Sequence, residues 1–583
     1  MIDILLASAM MQNVSPYSPH EEPPIAYFDV VPQQDVTGVF EMGVIAYHLE
    51  GVDRVEYTIH REGFEGDFNK DGTVDGEDIS VLFQNWYPDG GKALSRILAH
   101  WGTATPIADE IVSVYDQTLN PRTGQEEYWF APDTRLYPDV KMTVTAEVFP
   151  VDGPSLVLDT HWTEDRRYAG VDLFSNNYGQ FPVHIRYVSP NGNDETGDGT
   201  LENPYKGIYR AIRHDFEVPY AEVGGTMVYL MEGDHIVDES GGWPYSSLIQ
   251  PSGRFITITP APGVDRESCK LVGSDQGNIL YTQWVKFDNI VFESEQDHWL
   301  DHAGHAMRWY NDVDMRGTEK DYMSEPQIYC HARNNRYFTN VLQSRLAEGI
   351  NGVINRNMTY DFINCDVLHG QTVQLVLDCV ITNHSDIYDL NGCHNDFIQY
   401  NTQGETLLSN QIWRNVYGNE PCMQQGVHAC VASREGSRAD NIAWINVTLS
   451  NMFELDHCTP VVFRWCGPTR NMLMKDCIFV GKEFFTYDQF NEDGSLNELG
   501  PWTINSFDGL PKYKNFKIED CWEDWEKTEA LFPVPDESPT WSFYGPEELQ
   551  WDSNENDDVQ ENPFGPNDPW YSPITGIFYT QTE

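Results

Sequence analysis

WINVTLS, residues 444–450, sets an asparagine between two short apolar runs, and six other segments share the form: FDNIVFE (287–293), FTNVLQS (338–344), FINCDVL (362–368), VLDCVIT (376–382), LSNQIWR (408–414) and MKDCIFV (474–480). Each reads as one strand and its bend. Asn and Asp tolerate the left-handed backbone of a tight bend and bond neighbouring backbone, while Cys, Ile and Val fill an interior. A unit that cannot bury its apolar face alone, repeated many times, describes a solenoid. The spacing is uneven, so loops of different length must leave the coils.

Upstream of the repeats, IRYVSPNGNDETGDGTLENPYKGIYRAI (185–212) reads as a strand, a Gly/Asn/Asp turn and an amphipathic helix, followed by the strand-like GGTMVYLMEGDHIV and RFITITPAPG. This arrangement resembles the start of a right-handed parallel β-helix of the pectate-lyase-like superfamily, in which such a helix caps the open end of the solenoid. The resemblance covers about 180 to 490 and gives a β-helix at 183–490; it implies a fold rather than an activity. Residues 491–583 are acidic and irregular, with Pro and aromatics mixed without period, and read either as a cap docked through its tryptophans or as a disordered tail.

The N-terminal part is written differently. After an arm at 1–24, VFEMGVIAYHL (39–49), VDRVEYTIHR (52–61), DEIVSVYDQTL (109–119) and VKMTVTAEVFP (140–150) alternate apolar and polar residues, with a hairpin turn in NPRTGQEEYW (120–129). Period-two alternation between turns over 25–160 predicts an immunoglobulin-like β-sandwich. The fold class expected is therefore mainly β: this sandwich with a small helical calcium-binding insert, then the parallel β-helix.

The insert spans 64–105 and opens with GDFNKDGTVDGED (66–78). Asp67, Asn69, Asp71, Thr73, Asp75 and Asp78 fall at positions 1, 3, 5, 7, 9 and 12 of an EF-hand-type loop, with Gly72 at position 6, where the chain turns sharply. Calcium takes six to eight hard oxygens, and these side chains with the Thr73 carbonyl supply them. Asp rather than Glu at position 12, followed by the helix ISVLFQNW, resembles a dockerin repeat and implies Ca2+ as the bound ion. Dockerins carry two such loops; YPDGGKALSRILAHWGT (87–103) keeps only a helix. Helices at Ile79 to Trp86 and Ala93 to Trp101 would pair around one ion, so the loop reads as a calcium staple rather than a cohesin-docking module.

Composition limits the partners. A formal charge of −55 repels nucleic acid and anionic membranes, and no run of eighteen apolar residues spans a bilayer. All eleven cysteines lie at or after Cys269, odd in number and without tight spacing, as expected of buried thiols packing as small hydrophobes. The segment MIDILLASAMMQNVSP lacks Lys and Arg and makes a poor secretory signal, which favours release by lysis or assembly into a particle.

The pectate-lyase-like resemblance raises polysaccharide chemistry. NHSDIYDLNGCHNDFIQYN (383–401) gathers His384, Asp386, Asp389, His394, Asp396 and Gln399. His394 and Asp396 alternate on a strand, so an Asp/His pair here would act as acid and base, with Arg414 or Arg434 neutralising a sugar carboxylate. The alternative is that these side chains hydrogen-bond along the coils. DHWLDH (297–302) resembles a short pectate-lyase signature without its Arg-x-Pro partner, and Asp456, His457 and Arg464 form a weaker second cluster. Three functions stay open. The first is a virion appendage (fibre, spike or capsid-decorating protein) facing glycan, contacting other virion proteins or further copies of itself as in a trimer, located on a virion or outside cells. The second is a polysaccharide lyase or hydrolase, and the third a bacterial cell-surface glycan binder.

Overall fold

The structure is a computed structural model that describes residues 19–88, 90–161, 166–213, 225–237, 254–273, 285–293, 307–317, 336–344, 352–361, 363, 367–369, 374–382, 396–401, 407–420, 425–430, 438–451, 461–466, 469–481, 513–521 and 541–543. Strand outweighs helix, 48% to 12%, so the class is mainly β, with a large all-parallel sheet compatible with a β-helix. The chain divides into two compact units. One comprises Pro23–Val313 with Arg333–Tyr337, the other Met1–Glu22, Asp314–Ala332 and Phe338–Glu583.

The unit that begins at Pro23 opens with ten strands in two sheets. β1 (Ile25–Phe28), β3 (Met42–Tyr47), β6 (Thr118–Leu119) and β7 (Glu126–Phe130) form one, in the order β1-β3-β7-β6. β2 (Asp35–Val36), β4 (Val52–Arg61), β5 (Glu110–Val114), β8 (Lys141–Pro150), β9 (Leu156–Leu158) and β10 (Val171–Ser175) form the other, in the order β2-β10-β8-β4-β5 with β9 on β8. Both contribute to one core that includes Val44, Val55, Tyr57, Val144 and Val148. Strict alternation of buried and half-buried residues along β8 follows from the two-residue period of a strand with one face in that core. Tyr57 ties the sheets together: its hydroxyl donates to the Tyr128 carbonyl and accepts from the Val44 N–H at 3.0 Å.

Residues 109–119, expected as one strand, are two. β5 pairs with β4 and β6 pairs with β7, so the chain changes sheet between Val114 and Thr118. The hairpin turn at 120–129 is present: the Gly124 N–H donates to the Asn120 carbonyl and the Asn120 N–H to that of Gln125.

Between β4 and β5 lie α1 (Gly76–Gln84) and α2 (Gly90–Ala99). Both begin three residues earlier than apolar periodicity alone suggests. For α1 the reason is a capping box: the Asp75 carboxylate accepts from the Glu77 N–H and the Asp78 carboxylate from the Asp75 N–H.

The same unit continues into parallel strands. β11 (Ile185–Val188), β12 (Met227–Leu230), β14 (Ile256–Pro260), β16 (Val285–Asp288) and β18 (Arg308–Arg316) pair in parallel in that order. β13 (His235–Val237), β15 (Leu271–Gly273) and β17 (Val291–Glu293) do the same. The helix expected near Tyr209 is α3 (Ile208–Arg213), with Ile208, Ala211 and Ile212 buried.

In the other unit β20 (Ile354–Asp361), β22 (Leu375–Thr382), β24 (Leu407–Glu420), β26 (Arg438–Asn451), β28 (Thr469–Lys475) and β30 (Tyr513–Cys521) pair in parallel, each on the next. A second parallel sheet runs β21 (Leu368–His369), β23 (Asp396–Asn401), β25 (Gln425–Cys430), β27 (Val461–Cys466).

The bends are where the repeat predicts them. Asn289, Asn340, Asp378, Asn410, Asn446 and Asp476, from six of the seven repeated segments, all hold φ between 52° and 57°. Asn364 of the seventh lies outside the described residues. Asp312, Asn357, Asn415, Asn441 and Asn471 hold φ between 52° and 59°. Successive coils in the second unit thus carry two corners five residues apart: Asn410 and Asn415, Asn441 and Asn446, Asn471 and Asp476. Their side chains bridge coils, Asn415 Nδ2 to Asp378 Oδ1 at 2.7 Å, Asn446 Nδ2 to Asn415 Oδ1 at 2.8 Å and Asn471 Nδ2 to Asn441 Oδ1 at 2.8 Å. Between corners the chain is buried, and Trp413 meets Trp444 at 5.7 Å in register. Among the described residues Cys269, Cys379 and Cys477 are buried, as expected of packing thiols, and burial pushes the Cys379 thiol up to about 12.

Candidate functional site

The acidic loop closes on itself through its own backbone. Asp67 Oδ2 accepts from the Gly72 N–H at 3.1 Å, Asn69 Oδ1 from Asp71 N–H at 3.1 Å, and Asp71 Oδ1 from Thr73 N–H at 2.7 Å. Asp78 accepts twice, from Asn69 N–H at 3.0 Å and Asp75 N–H at 2.7 Å. The turn requires Gly72, whose φ of 84° a side chain would resist. All six expected ligand positions therefore share one turn, although among the described residues no group of three or more His, Cys, Asp or Glu is arranged to hold a metal.

One atom in this loop is unmet. Asp67 is 4% exposed, and its Oδ1 is buried with no hydrogen-bond partner. Burial lifts the Asp67 carboxyl above its ordinary value, the charges of Asp78 and Asp71 add to this, and the Gly72 N–H opposes it. A buried carboxylate oxygen without a donor costs free energy that a hard cation would recover, and the donor set, all oxygen, fits calcium rather than a thiophilic metal.

The helices behind the loop are fixed to their host. Phe68, Val74, Leu82, Ala93 and Ile97 share a core with Tyr178, and the Tyr87 hydroxyl donates to the Arg135 carbonyl at 2.9 Å. Tyr137 lies between two guanidinium groups, Arg61 at 3.9 Å and Arg96 at 4.1 Å from its ring centroid, and Arg96 also pairs with Glu65 at 2.8 Å. Arg61 Nε and Nη1 have no hydrogen-bond partner, so the ring stands in for one.

On the solenoid, His384, Asp386, Asp389, His394, Arg434, Asp456, His457 and the DHWLDH stretch lie outside the described residues. Asp396 and Gln399 are both on β23. Backbone register aligns Gln399 with His369 of β21, His428 of β25 and Arg464 of β27, a row the sequence reading missed except for Gln399 and Arg464. Its signal is the alternation within each strand, which unequal loops between coils hide. Arg414 stands between the corners Asn410 and Asn415 and is only 5% exposed, so it offers little surface to a substrate.

Comparison of the chain with family models, curated proteins and solved structures finds no match in any of the three. Among the described residues no helix is long and apolar enough to cross a membrane.

Proposed function

We propose that the protein is a structural, glycan-facing surface protein, a virion appendage such as a fibre, spike or capsid-decorating protein. In this reading an immunoglobulin-like sandwich carries a dockerin-like insert stapled by Ca2+, held by Asp67, Asn69, Asp71, the Thr73 carbonyl, Asp75 and Asp78, and leads into a right-handed β-helical shaft. The observation that carries it is the pair of stacked Asn/Asp corners with amide bridges from coil to coil, a device that stiffens a rod at every turn. Backbone register aligns His369, Gln399, His428 and Arg464 across four strands, and the partners in this reading are a polysaccharide or cell-surface glycan, other virion proteins and further copies of the chain, as in a trimer.

Immunogold labelling of particles released by cells that make this chain tests the reading. Label on particle surfaces supports it; label confined to the cell envelope supports a cell-surface glycan binder instead. The same row favours one further reading, a polysaccharide lyase or hydrolase, in which His384, Asp386, His394 and Asp396 act on a bound glycan and Arg434 joins in binding it. That reading requires glycan cleavage by the purified chain that Asp396→Asn abolishes.

A further inference from the structure

The calcium-loop reading, on which this inference rests, leaves two loop residues without a role: Phe68 and Lys70, at positions 2 and 4, which supply no ligand. Both leave the loop for the same segment. Phe68 is fully buried and meets the Tyr178 ring edge-on at 4.9 Å; Lys70 holds a left-handed backbone at φ 61° and lays its ammonium 3.8 Å from the centroid of Phe181. Tyr178 and Phe181 belong to residues 176–184, the connection from β10 of the sandwich to β11 of the solenoid.

That connection is gripped from every side. The Asp139 carboxylate accepts the N–H groups of Asn177, Tyr178 and Gln180, the last two at 2.7 and 3.0 Å. Asn176 Nδ2 donates to the Phe181 carbonyl at 2.8 Å. From the solenoid, Arg254, just before β14, lies 5.3 Å from the Phe181 centroid and forms a two-toothed ion pair with Asp35 of β2, with Nε to Oδ1 at 2.7 Å. Gly225 makes room for it: a Cβ there would lie 2.4 Å from an Arg254 guanidinium nitrogen. The Phe181 ring is thus touched by one cation from the acidic loop and one from the solenoid.

We propose that the loop is the latch of the joint between sandwich and solenoid, and that calcium sets how firmly the joint is held. Four aspartates crowd the loop, and a divalent cation that neutralises them relieves their repulsion. An ordered loop presents Phe68 and Lys70 to Tyr178 and Phe181; a loop opened by repulsion withdraws both. Asp139, Arg254 and the contacts of Asn177 with Gly38, Tyr178 with Arg135 and Phe181 with Phe174 then hold the connection without the loop, so the solenoid leaves the sandwich through a looser hinge.

The test uses the full chain, with calcium binding followed by calorimetry and the backbone exchange of 176–184 by hydrogen–deuterium mass spectrometry. In the wild type, replacing calcium by chelator is expected to speed exchange of 176–184 by about tenfold or more, while the strands of the solenoid keep their protection. Lys70→Met, which keeps the stem and loses the charge, and Phe181→Leu, on the far side of the contact, are each expected to speed exchange in that segment with calcium present and calcium binding retained. Calcium binding with exchange at 176–184 indifferent to chelator overturns the latch and leaves the staple intact. Absence of calcium binding overturns both, and the calorimetry reports that case separately.

Discussion

The acidic loop and the solenoid corners use the same two residue types for opposite purposes. In the loop, Asp and Asn stay out of the left-handed region, which falls to Lys70 and Gly72, and their oxygens gather N–H groups from within a few residues. In the corners, Asn and Asp themselves take φ between 52° and 59°, and their side chains reach another coil roughly thirty residues away, as Asn446 does to Asn415. The loop is local and charged, and leaves one buried carboxylate oxygen, Asp67 Oδ1, without a hydrogen-bond partner. The corners are nonlocal and, between asparagines, neutral. Ion and pH should therefore act on the N-terminal region, and packing changes on the solenoid.

The hardest blow to the solenoid is Trp444→Ala. Trp444 is fully buried against Trp413, so the loss should cost about 3–5 kcal/mol and be the same in calcium and in chelator, read from urea midpoints in each. A chelator-dependent cost there would blur the distinction.

Next in size is a pH effect confined to the sandwich. Glu127 is fully buried and its carboxyl is raised from 4.5 to about 8, first by burial and then by the charge of Asp29, with Thr123, Asn120 and Arg122 opposing. Its folded pKa lies above the unfolded one, so the folded state holds the extra proton. The stability it contributes is complete below about pH 4.5 and is lost as pH rises through about 8. Denaturation midpoints between these limits should fall with pH, and Glu127→Gln should flatten that slope.

Asn446→Ala removes an amide bridge and puts Ala in the left-handed region, together about 2–3 kcal/mol, whereas Asn446→Gly keeps the backbone and loses about 1 kcal/mol. Equal costs would mean that the corner conformation contributes nothing. Below Asn446→Ala comes Gly72→Ala, about 1–2 kcal/mol from φ alone, because the space beside it is open. It should also weaken calcium binding measured by calorimetry, since the turn it strains is the one that brings Asp67 to the loop.

The strands and bends of the solenoid were legible because a repeat announces itself: an apolar residue, Asn or Asp, and apolar residues again must be a bend when it recurs. The second corner of each coil was not, since Asn415 and Asn441 sit in sequence with nothing to distinguish them from surface asparagines. The acidic turn was legible because it is local, with Asp and Asn two residues apart. Its grip on Tyr178 and Phe181 was not, because those partners are more than a hundred residues distant. The cluster at 383–401 shows the converse: the residues that backbone register aligns with Gln399 come from other coils.

The sequence alone determined what short-range sterics and two-residue alternation can encode: a mainly β chain, the left-handed Asn and Asp bends, the acidic turn and its helices. Tertiary structure alone decided register. Which histidine aligns with Gln399, which tryptophan lies against Trp413 and which ring receives Lys70 depend on loop lengths between coils and on the path out of the N-terminal sheets. Those follow from how whole elements bury their apolar faces together, a sum over distant residues that no local pattern records.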